Sequence, residues 1–257
     1  MQKSFFDWVT LLVGKYGGMF IQGAGVTLMI ALVGTISGFV IGLGVAIART
    51  AELSPQSGRL PRALLKAVKG LLTAYIEIFR GTPMIVQAMV VYYGALEYLG
   101  LDIPAMTAAF LVVSVNTGAY MAEILRGGIL SVDPGQKEAA IAVGMTHWQL
   151  MTSVVLPQAV RNTLPSVGNE FVVNIKDSSV LNVISVTELY FTARSVSGTH
   201  YKYFEVFFII SVIYFVLTFT ITRLLRLLEK KLSGGDSYTI YGSQTDAKAE
   251  IKVGGEA

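Results

Sequence analysis

The chain contains no cysteine, which excludes a disulfide framework and any thiolate metal or redox site. Its two histidines, His147 and His200, lie far apart in the sequence, so no metal site is expected. Charge is scarce as well. Asp, Glu, Lys and Arg supply 14% of the 257 residues, against about 25% in an ordinary soluble domain. No Gly-x-x-x-x-Gly-Lys-Ser/Thr phosphate loop occurs, so the chain cannot hold ATP through that element. There is no His-x-x-x-His pair and no Gly-x-Ser-x-Gly elbow, and no catalytic set assembles from what remains. What is abundant is apolar surface: 53% of the residues are hydrophobic and the mean hydropathy is +0.59. A formal charge of +3 is small, and no nucleic-acid partner is expected.

Three stretches are apolar enough to cross a bilayer, which takes about 20 residues of helix. Gly23 to Ala48 runs for 26 residues without a charge, Ile103 to Ala122 for 20, and Val206 to Thr222 for 17. Two more are apolar but interrupted. Gly70 to Leu96 contains Glu77 and Arg80, and Asn162 to Thr187 contains Glu170, Lys176 and Asp177. A charge at the centre of a bilayer costs about 2.5–3.5 kcal/mol or more. Those two segments can span only if their charges face protein, a water-filled cavity or the interface. The reading is an all-α, polytopic membrane bundle of five spans, the second and fourth lining something polar.

Basic residues orient it. Arg49, Arg59, Arg62, Lys66 and Lys69 lie between spans one and two, and Arg126, Lys137 and Arg161 between three and four. Arg223, Arg226, Lys230 and Lys231 follow the fifth, while the alternate loops are poorer, with Glu97 and Asp102 between spans two and three and Arg194 and Lys202 balanced by Glu188 and Glu205 between four and five. The N-terminus is expected outside and the C-terminus in the cytoplasm of a bacterial cell. Residues 1–20 read as an amphipathic lead-in at the external surface, not a cleaved signal: the apolar run from Trp8 to Gly14 is seven residues, closed by Lys15. Residues 21–230 form the membrane domain, and residues 231–257 read as a flexible cytoplasmic tail. In the first span Gly34, Gly38 and Gly42 make a small-xxx-small stripe, fit either for packing within the chain or for a subunit contact. Glu77 with Arg80, and Glu123 with Arg126, could pair three apart on a helix face.

The loop at residues 131–157 is the most informative part. Asp133 can cap a helix, Pro134 suits its first position, and Gln136 sits where a capping box places glutamine. Lys137 to Val143 favours helix, and Gly144 can end it with positive φ. A second short helix from about Thr146 leads to Leu156 and Pro157. The first helix is small and apolar at Ala139, Ala140, Ile141, Ala142 and Val143, a surface that asks for a partner.

Glu138, Ala139 and Ala140, then Gly144, then Val154, Val155, Leu156 and Pro157 resemble the EAA loop of ATP-binding-cassette importer permeases. Phe79, Arg80, Gly81, Thr82 and Pro83 followed by Gln87 look like the signature of the polar amino-acid branch. So do Tyr120, Glu123, Arg126 and Gly127, and Asn169-Glu170-Phe171 with Lys176 to Ser179. The resemblance covers roughly residues 20–230. It implies a dimer of separate cytoplasmic ATPases, which bind ATP and Mg while this chain binds no cofactor. The helix carrying Glu138, Ala139 and Ala140, turned by Gly144 and followed by Leu156 and Pro157, would dock in the ATPase. An extracytoplasmic amino-acid-binding protein and a second copy, or a similar permease chain, complete the expected assembly.

The substrate path should lie where polar groups break apolar spans. Glu170, Asn174 and Asp177 share one face of the fourth span, Asn169 and Lys176 a neighbouring line, and Asn116 is the least expected residue of the third. These groups could equally pair with each other and hold the bundle. Glu77, Arg80, Gly81, Thr82 and Pro83 read as shaping the second span, with Pro83 fixing a bend. Lys176 tilts the substrate reading toward glutamine, glutamate or aspartate over arginine, lysine or histidine. A secondary transporter driven by an ion gradient is the alternative. It would place charges in broken helices too, but it leaves the capped loop helix without a role.

Overall fold

The computed structural model describes residues 4–51 and 58–232; the expected tail lies outside the described residues except at its first two positions. Those residues are predominantly helical, with no strand among them. Helix α1 (Phe5–Thr50) is followed by α2 (Arg59–Gly81), α3 (Met84–Leu99) and α4 (Ala105–Leu130). The loop helices α5 (Pro134–Ala142) and α6 (His147–Leu150) run through a π turn (Met151–Val155) into α7 (Leu156–Asp177). A 3₁₀ segment (Ser178–Ile184), α8 (Leu189–His200) and α9 (Tyr203–Leu232) complete the chain. By length and hydropathy α1, α4 and α9 each suffice to cross a membrane.

The lead-in expected at residues 1–20 is not a separate element. Helix α1 is continuous over 46 residues, about 69 Å of helix. Ser4 and Asp7 close a capping box at its start, and no proline interrupts it. Its first turns are held by packing: Leu12 and Phe20 are buried with Leu189, Ala193, Val206 and Ile210 of α8 and α9. Farther along, Ile30 enters a core with α3, α4 and the 3₁₀ segment, and Ala46 one with α4 and the loop helices. A fourth, smaller cluster joins Val45 to Ile76 of α2 and Ala122 of α4, so the apolar cores among the described residues are strung along one rod.

The glycine stripe packs within the chain. A methyl group on Gly38 would meet Thr117 Cγ2 at 2.7 Å, and one on Gly42 would meet the backbone nitrogen of Ala122 at 2.8 Å. Gly34 faces Val113 in the same way, so the contacts advance together along both helices and α1 runs parallel to α4. Asn174 of α7 closes the junction. Its amide donates to Thr35 Oγ1 of α1 at 2.9 Å and accepts from Thr117 Oγ1 of α4 at 3.1 Å.

The segment from Gly70 to Leu96 is not one helix. It breaks at Thr82 and Pro83, both extended, because proline lacks an N–H and excludes helical backbone before it. Arg80 does not pair with Glu77; it lies over the Tyr120 ring, 5.2 Å from its centroid. Glu123 does pair with Arg126, at 2.8 Å, and also with Arg49 across the helix interface.

The loop expected between the last two spans contains α8, which sequence reading missed. Glu188, placed there as a loop charge balancing Arg194, is fully buried. Its carboxylate accepts from the backbone of Tyr190 (2.8 Å) and Phe191 (2.7 Å) and from the hydroxyls of Tyr214 (3.1 Å) and Thr27 (3.4 Å). Arg194 instead donates to Asn182 Oδ1 at 3.0 Å.

Two substitutions test this packing by thermal unfolding in detergent. Gly42→Ala should destabilise the chain by about 1–3 kcal/mol, because the opposing atoms are Met121 Cβ and the backbone of Met121 and Ala122, none of which can swing aside. Glu188→Ala should cost on the order of 3 kcal/mol by stripping a cap and two hydroxyl partners, and Glu188→Gln distinctly less.

Candidate functional site

A cavity of about 350 Å³ opens where α2 breaks into α3. Arg80, Thr82 and Pro83 form one wall, Asn116 and Tyr120 of α4 a second, and Glu170, Asn174 and Asp177 of α7 the third. The break exposes carbonyls that a helix would have used, and two amides take them up. Gln87 Nε2 donates to Phe79 O (3.0 Å), Thr82 O (3.0 Å) and Thr82 Oγ1 (2.9 Å). Asn116 Nδ2 donates to Phe79 O (3.1 Å) and Gln87 Oε1 (3.0 Å). Unwound backbone is tolerated at membrane depth where it lines a cavity and its polar groups are met. Pro83 and the two amides meet both conditions.

The cavity carries one guanidinium and two carboxyl groups, from Arg80, Glu170 and Asp177. Such mixed polarity offers partners for a small ligand bearing both a cation and an anion, and a few convergent polar groups in a cavity of this size are what ligand sites use. Arg80, Gly81, Thr82 and Pro83, read from sequence as shaping a helix, share this cavity with Asn116, Glu170, Asn174 and Asp177. Asn116 and Asn174 reach it with amides already engaged, so each builds the wall as well as facing the space. Glu77, Asn169 and Lys176 do not line it. Lys176 projects on the other side of α7, toward α9. Tyr120 was missed as a site residue; it lies four after Asn116, on the same helix face.

The second candidate is the loop between α4 and α7. Asp133 caps α5 by accepting from Gly135 N at 2.6 Å, with Pro134 at the first position. Gln136 does not complete a capping box there; the box forms instead at α6, between Thr146 and Gln149. Gly144 turns the chain with φ +81°. Ala140 differs from expectation. It is buried in the core with Ile129, Leu150 and Val155, so it seats α5 on the bundle and does not face outward. Glu138 and Ala139 are exposed, and Ile141, Val143 and Trp148 stand 63%, 76% and 72% exposed, making an apolar ridge. Leu156 packs against the same core, and the exposed Pro157 follows the π turn, where Leu156 N bonds Met151 O.

Comparison with known proteins agrees with this geometry. Residues 57–234 match the family described as binding-protein-dependent transport system inner membrane component. The glutamine transport system permease protein GlnP of Escherichia coli K12 is 34% identical over 228 residues, 88% of this chain and 98% of the relative. The arginine transport system permease protein ArtQ of Bacillus subtilis is 32% identical over 216 residues, 84% and 93%. A solved amino acid ABC transporter with histidines superposes with a TM-score of 0.76 at 39% identity, covering 90% of this chain and all 100% of that one. The methionine transporter MetNI, at 20% identity and a TM-score of 0.68, shares the fold over 85% of this chain and 98% of its own. The chain belongs to the binding-protein-dependent transport system inner membrane components: it is a multi-pass, all-α permease subunit and not an enzyme.

Proposed function

We propose that this permease subunit imports a polar amino acid, glutamine foremost, by alternating access driven by a separate ATPase. The observation that carries the reading is the cavity of mixed polarity at the broken helix. Arg80 would meet the substrate carboxylate, and Glu170 and Asp177 the ammonium group. Lys176, the reason for leaning toward glutamine or an acidic amino acid, does not line the cavity, and the lining offers no second cation for an acidic side chain. Relatives named for glutamine and for arginine transport fit the same pattern; the extra carboxyl group makes arginine the second candidate.

Five crossings are proposed. The parallel run of α1 and α4 requires a return between them, supplied by α2 and α3, and α7 is the remaining polar-lined crossing. The basic residues clustered at the proposed inner ends support an external N-terminus and a cytoplasmic C-terminus. The loop ridge of Ala139, Ile141, Val143 and Trp148 would then face a cytoplasmic ATPase dimer, which holds ATP and Mg. A second copy or a similar permease would complete the path, fed by an external binding protein. A carrier driven by an ion gradient gives this ridge no role.

Arg80→Gln should lower amino-acid uptake by about tenfold or more, as loss of a hydrogen bond between charged groups costs about 1.5–3 kcal/mol, while the ATPase still co-purifies. Unchanged uptake would remove the cavity from the path. Gly144→Val, strained at φ +81°, should keep membrane insertion but reduce co-purified ATPase by about tenfold or more. Because the chain lacks cysteine, Ala139→Cys gives a single probe. A membrane-impermeant thiol reagent should label it in inside-out vesicles and not in intact cells; the reverse would invert the topology.

A further inference from the structure

A second cleft, of about 270 Å³, lies between α7 and α9, on the other side of α7 from the polar cavity. Every charged residue lining it is a cation: Lys176, Arg223 and Arg226. Asp177, which lines the other cavity, lies close enough to act on Lys176, and Glu229, three residues beyond Arg226, acts on Arg226; neither acid lines the cleft. These acids compensate two of the cations from outside, while inside the cleft the three positive groups face one another, and an anion between them adds stability. The remaining wall is apolar, with Phe215 and Phe219 standing 65% and 48% exposed and Thr222 above them. Arg223 lies over the Phe219 ring, its guanidinium carbon 4.9 Å from the centroid.

The depth of these groups narrows the anion. Arg223 follows Tyr203, the first residue of α9, by 20 residues, about 30 Å of helix and one hydrocarbon thickness. It therefore sits at headgroup level, with Arg226 a turn farther out. Phe215 lies about 12 Å deeper, among acyl chains. Lys176 can carry its ammonium toward the headgroups along its apolar stem. A free anion would satisfy the cations and leave the aromatic wall bare, and a neutral lipid would do the opposite.

We propose that the α7–α9 cleft is a binding site for an anionic phospholipid. Its phosphate sits between Arg223 and Arg226, with Lys176 on the inner side and an acyl chain along Phe219 and Phe215. Basic pockets between membrane helices take such headgroups. The site is separate from the amino-acid cavity and does not depend on which amino acid is carried.

The test uses the full-length chain extracted with its associated subunits, washed in mild detergent and offered equal amounts of phosphatidylglycerol and phosphatidylcholine. Bound lipid is counted by mass spectrometry. Enrichment of phosphatidylglycerol by about tenfold or more is expected, at about fivefold per cation. The Arg223→Gln/Arg226→Gln pair should bring it near parity, and the Arg→Lys pair should retain it. A second readout leaves the charges intact: a tryptophan introduced by Phe219→Trp should be quenched by brominated phosphatidylglycerol well before brominated phosphatidylcholine. Equal retention of both lipids, or equal quenching, overturns the proposal. So does full displacement of the lipid by inorganic phosphate or by free glutamate, which would make the cleft a site for soluble anions. A crosslink from Lys176→Cys to a second permease chain that excludes the lipid would make it a subunit interface.

Discussion

The close contact between α1 and α4 is the constraint on which the rest of the fold depends. Inside a bilayer, water drives no apolar association between helices; close packing and internal hydrogen bonds must do it. Gly34, Gly38 and Gly42 let the two backbones approach to contact distance over two turns. Asn174 then inserts its amide between Thr35 and Thr117 and fastens α7 to both. With those three helices set, every other element packs onto a surface they create. The α8–α9 corner closes over the N-terminal half of α1 through Glu188 and Thr27, and the loop helices close over its C-terminal end through Ala140, Leu150 and Val155.

Against this unit, the break between α2 and α3 leaves backbone unwound beside a cavity. Proline removes a donor, threonine takes an extended conformation, and carbonyls that would be costly to bury are met by Gln87 and Asn116. The same amides that make the break tolerable shape the wall of the cavity. The same residues thus hold the bundle and line the cavity. The loop between α4 and α7 works differently. Its apolar ridge is held out from the bundle by one buried alanine and a glycine turn, so it stands as a fixed projection.

Much of this was legible from the amino acids in order. The uncharged runs located α1, α4 and α9. Asp133, Pro134 and Gly144 located α5 and its turn to within a residue, because caps and turns depend on groups less than one helical turn apart. Pro83 marked the bend, although not its sharpness. Glu188 was misread because glutamate is a poor cap by statistics, and a lone charge near a basic residue reads as a surface pair. Its real partners, Thr27 and Tyr214, come from elements 161 and 26 residues away.

The chain by itself therefore determined the solvent it folds in, the segments that can cross it, and the local stops and starts of its helices. All of these follow from hydropathy, proline, glycine and caps within a few residues. Tertiary packing decided the rest. It chose which face of α7 meets the broken helix, bringing Arg80 beside Glu170 and Asp177 and turning Lys176 toward α9. It gave the glycine stripe a partner inside the same chain. Those outcomes depend on the rotation and register of helices about one another, which close contact sets and no local pattern encodes.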